Sequence, residues 1–321
     1  MPTSFHGSDR PDNLNIMGEF DLIKTYFTGL DFGSNVELGV GDDAALLRVP
    51  EGESLVVSVD TAVAGVHFSE HTLSEVIAYR SIASAVSDLA AMGAKPLGMT
   101  LALTLPEQDE WWLRSFSEGI TKAVYAFNCP LVGGDTTKGP LCISVTVHGS
   151  VAPQNALKRS GAKVGDVVCV SNTLGNSGAG LALELGELDI DCDNDYQVLH
   201  DAWCYPQPQL TLGQELAGIA TSCVDISDGL LADLNHILSA SGVGAQLLSS
   251  QIPLSQALLD SVGPQRALDL ALHAGEDYQL CFTLPASITP PGSCTVIGLV
   301  AQERMLSLDG KQVNAAGYTH F

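Results

Sequence analysis

The stretch that most constrains this fold is 72–96, TLSEVIAYRSIASAVSDLAAMGAKP. Val76, Ile77, Ile82, Val86 and Leu89 recur at helical spacing and predict a helix with a buried stripe. Thr72 and Glu75 stand at the spacing of a capping box at its start. Gly93 offers a left-handed stop, and Pro96 forbids continuation. The neighbouring face carries Ser81, Ser84, Ala85 and Asp88 at steps of three and four. Small residues on that face let another backbone or a ligand come close, so the helix is expected to carry Asp88 toward the middle of the molecule.

Strands and helices alternate around it. A helix is expected over 18–30, a glycine-broken pair of strands over 36–49 presenting Asp42 and Asp43, and a buried strand over 55–60 with Asp60 at its carboxyl end. A loop with His67 leads to the central helix. Then come a strand over 97–105, a helix from Pro106 to about Phe127, a short strand over 130–135 ending in Gly-Gly-Asp, and a strand over 141–151. Composition changes at 152–164, APQNALKRSGAKV, where a domain boundary is expected. Further strands are expected over 166–171, 246–248, 278–282, 295–300 and 305–308, with a strand-to-helix turn over 223–228. Helices are expected after Gly175–Gly180, over 208–220, 229–240 and 264–273. Mixed strands and helices in both halves predict α/β or α+β layers rather than a bundle or barrel. The expected organisation is a flexible polar tail (1–15), an N-terminal domain (16–151) and a C-terminal domain (152–321).

Charge narrows the function. With 14 basic and 37 acidic residues the net charge is −23, which disfavours nucleic acid and anionic membranes as partners. No apolar run approaches the roughly 20 residues of a membrane helix, and residues 1–15 lack the apolar core of a secretory signal. The eight cysteines are scattered without a CxxC pair, and most sit in apolar surroundings, as core residues do. Together these predict a cytoplasmic protein.

The chemistry is expected in the acids. Asp43, Asp60, Asp88, Asp135, Asp225 and Asp228 follow apolar strands or small-residue turns instead of lying on polar faces. Two unit charges about 4 Å apart interact by about 4 kcal/mol at an effective dielectric near 20. A convergent set of carboxylates must therefore hold protons or cations; all-oxygen ligands point to Mg²⁺ or a similar hard ion. The alternative is that each acid caps a local turn and the set never meets. There is no GxxxxGK[ST] loop, but Gly133–Thr137 offers backbone N–H groups to phosphate, and Lys138, Arg159 and Lys163 are candidate cations. Gly175–Gly180 looks like a dinucleotide loop without the acid a Rossmann unit requires. The alternating aspartates of 189–195 lack the glycine and glutamate of an EF-hand and read as a solvated loop.

Eight stretches carry a family resemblance: VGDDAALL (40–47), SVDTAVAGVHF (58–68), SDLAAMGAKP (87–96), LVGGDTTKGP (131–140), RSGAKVGD (159–166), DISDGLLADL (225–234), AGEDYQL (274–280) and GYTHF (317–321). In order and spacing the chain resembles the thiamine-monophosphate kinases over nearly its whole length. The resemblance implies the two-domain fold of the aminoimidazole ribonucleotide synthetase superfamily, α/β then α+β, with mixed sheets, flanking helices and a homodimer formed through the first domain. It implies transfer of the γ-phosphoryl group of ATP to thiamine monophosphate, giving thiamine diphosphate, with several Mg²⁺ ions. Asp43, Ser58, Asp60, Asp88, Asp135, Asp225 and Asp228 fall on the family's metal positions, as does Val59 through its carbonyl. Gly134, Asp135, Arg159 and Ser227 fall on nucleotide positions; His67, Glu276 and Tyr318 fall on substrate positions, Tyr318 suited to stacking on a thiamine ring. A phosphate nucleophile is already ionised at neutral pH, so no catalytic base is assigned. Two alternatives stand beside this: another ATP-dependent synthetase of the superfamily, and a non-catalytic acidic cation-binding protein.

Overall fold

The computed structural model describes residues 18–318, so the expected tail (1–15) and Thr319, His320 and Phe321 of the last motif lie outside the described residues. The first half runs α1 (Glu19–Tyr26), β1 (Val36–Leu38), β2 (Leu46–Leu47), β3 (Ser54–Val63), α2 (Ser74–Ala91), β4 (Lys95–Leu105), α3 (Glu110–Phe127), β5 (Leu131–Lys138) and β6 (Cys142–Val151). Strands β3, β6, β4 and β5 form a four-stranded sheet in that order. β3 and β6 pair antiparallel from Ser54↔Val151 to Val63↔Cys142, whereas β4 and β5 are parallel and need the α3 crossover between them. Helices α2 and α3 cover one face. There Ile82, Leu89, Met99, Leu103, Phe116, Ile120 and Ile143 are each at most 1% exposed, and full burial of such a side chain contributes about 1.5–3 kcal/mol.

The second half contains β7 (Val167–Ser171), α4 (Asn176–Glu184), α5 (Asp193–Cys204), α6 (Leu210–Leu216), β8 (Ser222–Asp225), α7 (Leu230–Ser241), β9 (Gly244–Leu247), α8 (Gln256–His273), β10 (Leu280–Leu284), β11 (Cys294–Ala301), β12 (Leu306–Leu308) and β13 (Lys311–Gln312). Its seven strands follow the order β13-β12-β9-β11-β7-β10-β8 and are antiparallel except for the β9–β12 pair. Cys129, Cys169, Cys204, Cys223 and Cys281 are buried core residues, and burial pushes the thiols of Cys129 and Cys169 up to about 12.

Helix α2 joins the halves. It packs on α3 in its own half and on α6 and β8 in the other. The approach is close: a Cβ on Gly119 of α3 would overlap the Glu75 carbonyl oxygen, and one on Gly213 of α6 that of Ala90. Of its 18 residues 15 are buried, and the remaining three are Glu75, Ser84 and Asp88. Ser84 and Asp88 are one turn apart, so beyond its first turn the helix has a single accessible stripe.

Several expectations are corrected. The capping box does not form: Leu73 is the N-cap without a side-chain cap, Thr72 donates to Glu184 at 2.7 Å, and Glu75 is engaged by Lys122 and by the Tyr205 hydroxyl. Tertiary partners outbid local ones. Helix α3 begins at Glu110, where the Asp109 carboxylate accepts Trp112 N–H, instead of at Pro106. Asp60 and Asp135 lie inside β3 and β5, not at their ends, because ladder pairing carries both strands past them. β3 is half-buried on one face and open on the other: Leu55, Val57 and Val59 are 50%, 53% and 59% exposed. The last acids of 189–195 fall in the first turn of α5, where the helix dipole favours them.

Candidate active site

The alternation of β3 turns Ser58 and Asp60 toward α2 and Val59 away from it. The Ser58 hydroxyl donates to Asp88, and Ser87, one residue earlier on α2, donates to Asp225 Oδ2 at 2.7 Å. Asp225 closes β8, so acids from three separate elements in both halves come together. Their titration reports the crowding. Burial, and then the charge of Asp88, pushes Asp60 up from 3.8 to about 6, with Ser84 pulling it back. Burial also raises Asp88, opposed by the Ser58 hydrogen bond and the charge of Arg159. Asp225 goes to about 7, from burial first and Asp88 second, opposed by Ser87. Ionising all three together is costly without a cation.

Arg159 is thus brought to the edge of this set although it is distant in sequence and solvent-exposed. Beyond Asp225 the chain turns through Ser227 and Asp228, whose N–H groups both donate to Asp233 Oδ2 at 3.0 Å; Asp233 is itself lifted to about 6, chiefly by burial. The 274–278 loop lies on this turn. Glu276 N–H donates to Ser227 O and Tyr278 N–H to Ile226 O, both at 2.8 Å, and Tyr318 N–H reaches Asp228 O at 3.3 Å. A Cβ on Gly275 would overlap Ser227 O, and one on Gly317 would crowd Asp228 O. Glycine in AGEDYQL and GYTHF therefore permits backbone docking around the 225–228 turn.

Asp43 and Asp135 are exposed, and the Asp43 N–H is engaged by Asp42. Val59 presents its side chain to the opposite face of the sheet. Gly134 lies against β4, where a Cβ would overlap Leu101 O; as β5 is an edge strand, half its N–H groups face away from β4. His67 caps the end of β3, its Nδ1 accepting Val63 N–H at 3.1 Å, which places the proton of a neutral ring on Nε2. Among the described residues no three His, Cys, Asp or Glu side chains converge tightly enough to hold a metal ion by themselves. The donor chemistry of Ser58, Asp60, Asp88 and Asp225 nevertheless fits a hard cation: oxygen atoms only, desolvated and mutually repelling.

Sequence reasoning passed over several residues. Ser84 and Ser87 were on or beside the marked face but carried no charge. Arg80 was visible as a lone cation in an apolar helix. Asp277 sits inside a quoted motif, and its role appears only in the fold: it accepts Gly175 N–H and Ser177 N–H at 2.7 and 3.2 Å. The N-terminus of α4, the element resembling a dinucleotide loop, is thus filled by the protein's own carboxylate. The glycines there serve helix packing, since a Cβ on Gly180 would overlap Leu199 O.

Two mixed sheets meeting across an acid-bearing helix are the architecture of the AIR synthase related proteins. The description of their N-terminal domain matches residues 41–151, and that of their C-terminal domain residues 163–282. Within that class, thiamine-monophosphate kinase of Escherichia coli K12 is 46% identical over 269 residues, 84% of this chain and 83% of its own. The crystal structure of thiamine-monophosphate kinase from Stenotrophomonas maltophilia superposes with a TM-score of 0.82 at 40% identity, covering 87% of this chain and 93% of that one. A third, "AaThiL complexed with AMPPCP and TMP", superposes at 0.79 with 33% identity over 95% and 97% of the two chains. The chain belongs to the thiamine-monophosphate kinase family. Among the described residues no helix is long and apolar enough to cross a membrane.

Proposed function

We propose that this protein transfers the γ-phosphoryl group of ATP directly to the phosphate of thiamine monophosphate, forming thiamine diphosphate and ADP. The observation that carries the reading is the meeting of Asp60, Asp88 and Asp225 across the two halves of a kinase-family fold. A relative crystallised with the ATP analogue AMPPCP and with TMP supports both substrates.

Both reactants are anionic, so the protein must let two phosphates approach beside its own carboxylates. Mg²⁺, when bound, would supply the positive charge that offsets the carboxylates and the phosphates. Ser58, Asp60, Asp88 and Asp225 would hold it, with Asp43, Asp135, Asp228 and the Val59 carbonyl contributing as the substrates enter. Arg159, the open N–H groups around Gly134 and Asp135 on β5, and Ser227 would bind the nucleotide. His67, Glu276 and Tyr318 would hold the thiamine end. The acceptor phosphate is ionised at neutral pH, so orientation and charge balance carry the catalysis and no base is needed. In this reading residues 16–151 supply most of the acids, and 152–321 closes the site with the 225–228 and 274–278 turns.

The exposed apolar row of Leu55, Val57 and Val59 on the uncovered sheet face supports a homodimer formed there. The buried free thiols and acidic surface support a cytoplasmic location.

The test is incubation of the purified protein with ATP, MgCl₂ and thiamine monophosphate, with separation of products by chromatography. Thiamine diphosphate and ADP in equal amounts, abolished by EDTA and restored by excess Mg²⁺, is the expected result. Absence of thiamine diphosphate from a folded sample overturns the reading.

A further inference from the structure

Arg80 is an arginine in the middle of α2, 6% exposed. A buried guanidinium is expensive unless its donors are used, and an ion pair in such a place is weak evidence of a stabilising role. Its partners are specific. One terminal nitrogen donates to Glu276 Oε1 at 2.7 Å, the other donates to the Trp203 carbonyl, and the guanidinium lies 3.9 Å from the centre of the Trp203 ring. Trp203, fully buried on α5, donates its indole Nε1–H to the second oxygen, Glu276 Oε2, at 3.0 Å.

Both oxygens of one carboxylate are therefore fixed by two donors that are locked against each other. The backbone is fixed as well. Glu276 and Tyr278 adopt left-handed φ values of 64° and 49°, a region non-glycine residues occupy when the surroundings overdetermine it and one enriched at functional sites. The Glu276 side chain keeps 26% of its surface open. Each carboxylate oxygen retains a lone pair beyond the one already engaged. The result is a rigid acceptor facing outward from the loop that docks on the 225–228 turn.

We propose that Arg80 and Trp203 are positioning residues for the thiamine moiety. They hold the Glu276 carboxylate in one orientation against the cationic and amine-bearing rings of the substrate. This rests on the reading of Glu276 as a substrate contact. Arg80 lies two turns before Asp88, roughly 12 Å along the same helix, so α2 sets the distance between the phosphate end of the site and its ring end. Because Arg80 balances the charge of Glu276, recognition of the rings rests on direction more than on net attraction.

Steady-state kinetics on the full chain test this. Trp203→Phe keeps a ring under Arg80 but removes the N–H. It should raise the KM for thiamine monophosphate about tenfold, leaving kcat and the KM for ATP within about twofold. Arg80→Lys, which keeps the charge and loses the fork, should give the same split and serves as the deciding variant if Trp203→Phe does not fold. Glu276→Gln should raise the same KM, and adding Trp203→Phe to it should change little further, because the tryptophan acts through the carboxylate. Equal effects on both KM values, or full multiplication of the two changes, overturns the inference and makes Trp203 a packing residue. A normal KM for thiamine monophosphate in Glu276→Gln instead sinks the underlying assignment of Glu276. A raised KM there with a normal one in Trp203→Phe and Arg80→Lys sinks the positioning role alone.

Discussion

The two sheets solve the same problem differently. In the seven-stranded sheet β8 and β10 are buried residue by residue, as is β7 apart from Val167, because α7 and α8 lie on one side while α2 and α6 close the other. In the four-stranded sheet α2 and α3 cover one face, and β3 leaves Leu55, Val57 and Val59 open on the other. A continuous apolar strand in the second half signals burial on both faces. The same kind of run in β3 leaves alternate residues open to solvent. The acids meet where the covered face of one sheet reaches the edge strand of the other, so the site belongs to the junction and to neither sheet alone.

The comparison can be broken at its strongest point first. Val168→Asp places an unpaired charge in the buried sheet and should leave no folded protein, a loss of several kcal/mol; Val57→Glu, an equivalent change on β3, should fold normally by circular dichroism. If Val57→Glu also unfolds the chain, the open face is not a surface. At the junction, Asp88→Asn should lower turnover by at least about a thousandfold with the unfolding midpoint unchanged or raised, since it removes a half-buried charge beside two other acids. Wild-type turnover would remove Asp88 from the site. Val57→Glu should shift the protein to a monomer in sedimentation velocity, weakening association about a hundredfold or more. A sedimentation coefficient equal to wild type would refute the dimer face.

A smaller effect concerns Asp277 at the head of α4. Burial pushes it from 3.8 to about 7. In the folded state it thus keeps a proton that the unfolded chain has already lost. Its contribution to stability is whole below about pH 4 and is lost as pH rises through about 7. In denaturant titrations across pH 4 to 8, Asp277→Asn should flatten the decline of stability by up to a few kcal/mol relative to wild type. Identical slopes would show that Asp277 titrates normally. Smallest of all, Tyr318→Ala should raise the KM for thiamine monophosphate severalfold and that for ATP less; the opposite order would reassign Tyr318.

Much was legible without coordinates. The spacing of Val76 to Leu89 foretold α2, and the small residues beside Asp88 foretold close approach, because helical periodicity is a local property. The close backbone contacts of Gly275 with Ser227 and of Gly317 with Asp228 carried no such local signal and appear only in the fold. The capping box at Thr72 failed for the same reason: its residues found distant partners, Glu184, Lys122 and Tyr205, which no local rule could foresee.

The sequence by itself determined the family, through eight ordered motifs, and it marked Asp60, Asp88 and Asp225 as acids that follow apolar strands or small residues. The tertiary structure alone decided which of them meet. Asp60, Asp88 and Asp225 converge because β3, α2 and β8 pack together, whereas Asp43 and Asp135 are exposed. It also decided that Glu276 is gripped by Arg80 and Trp203, residues 196 and 73 positions away in sequence. Separations of that size are closed only by packing a whole core, and a charge pattern read along the chain carries no record of it.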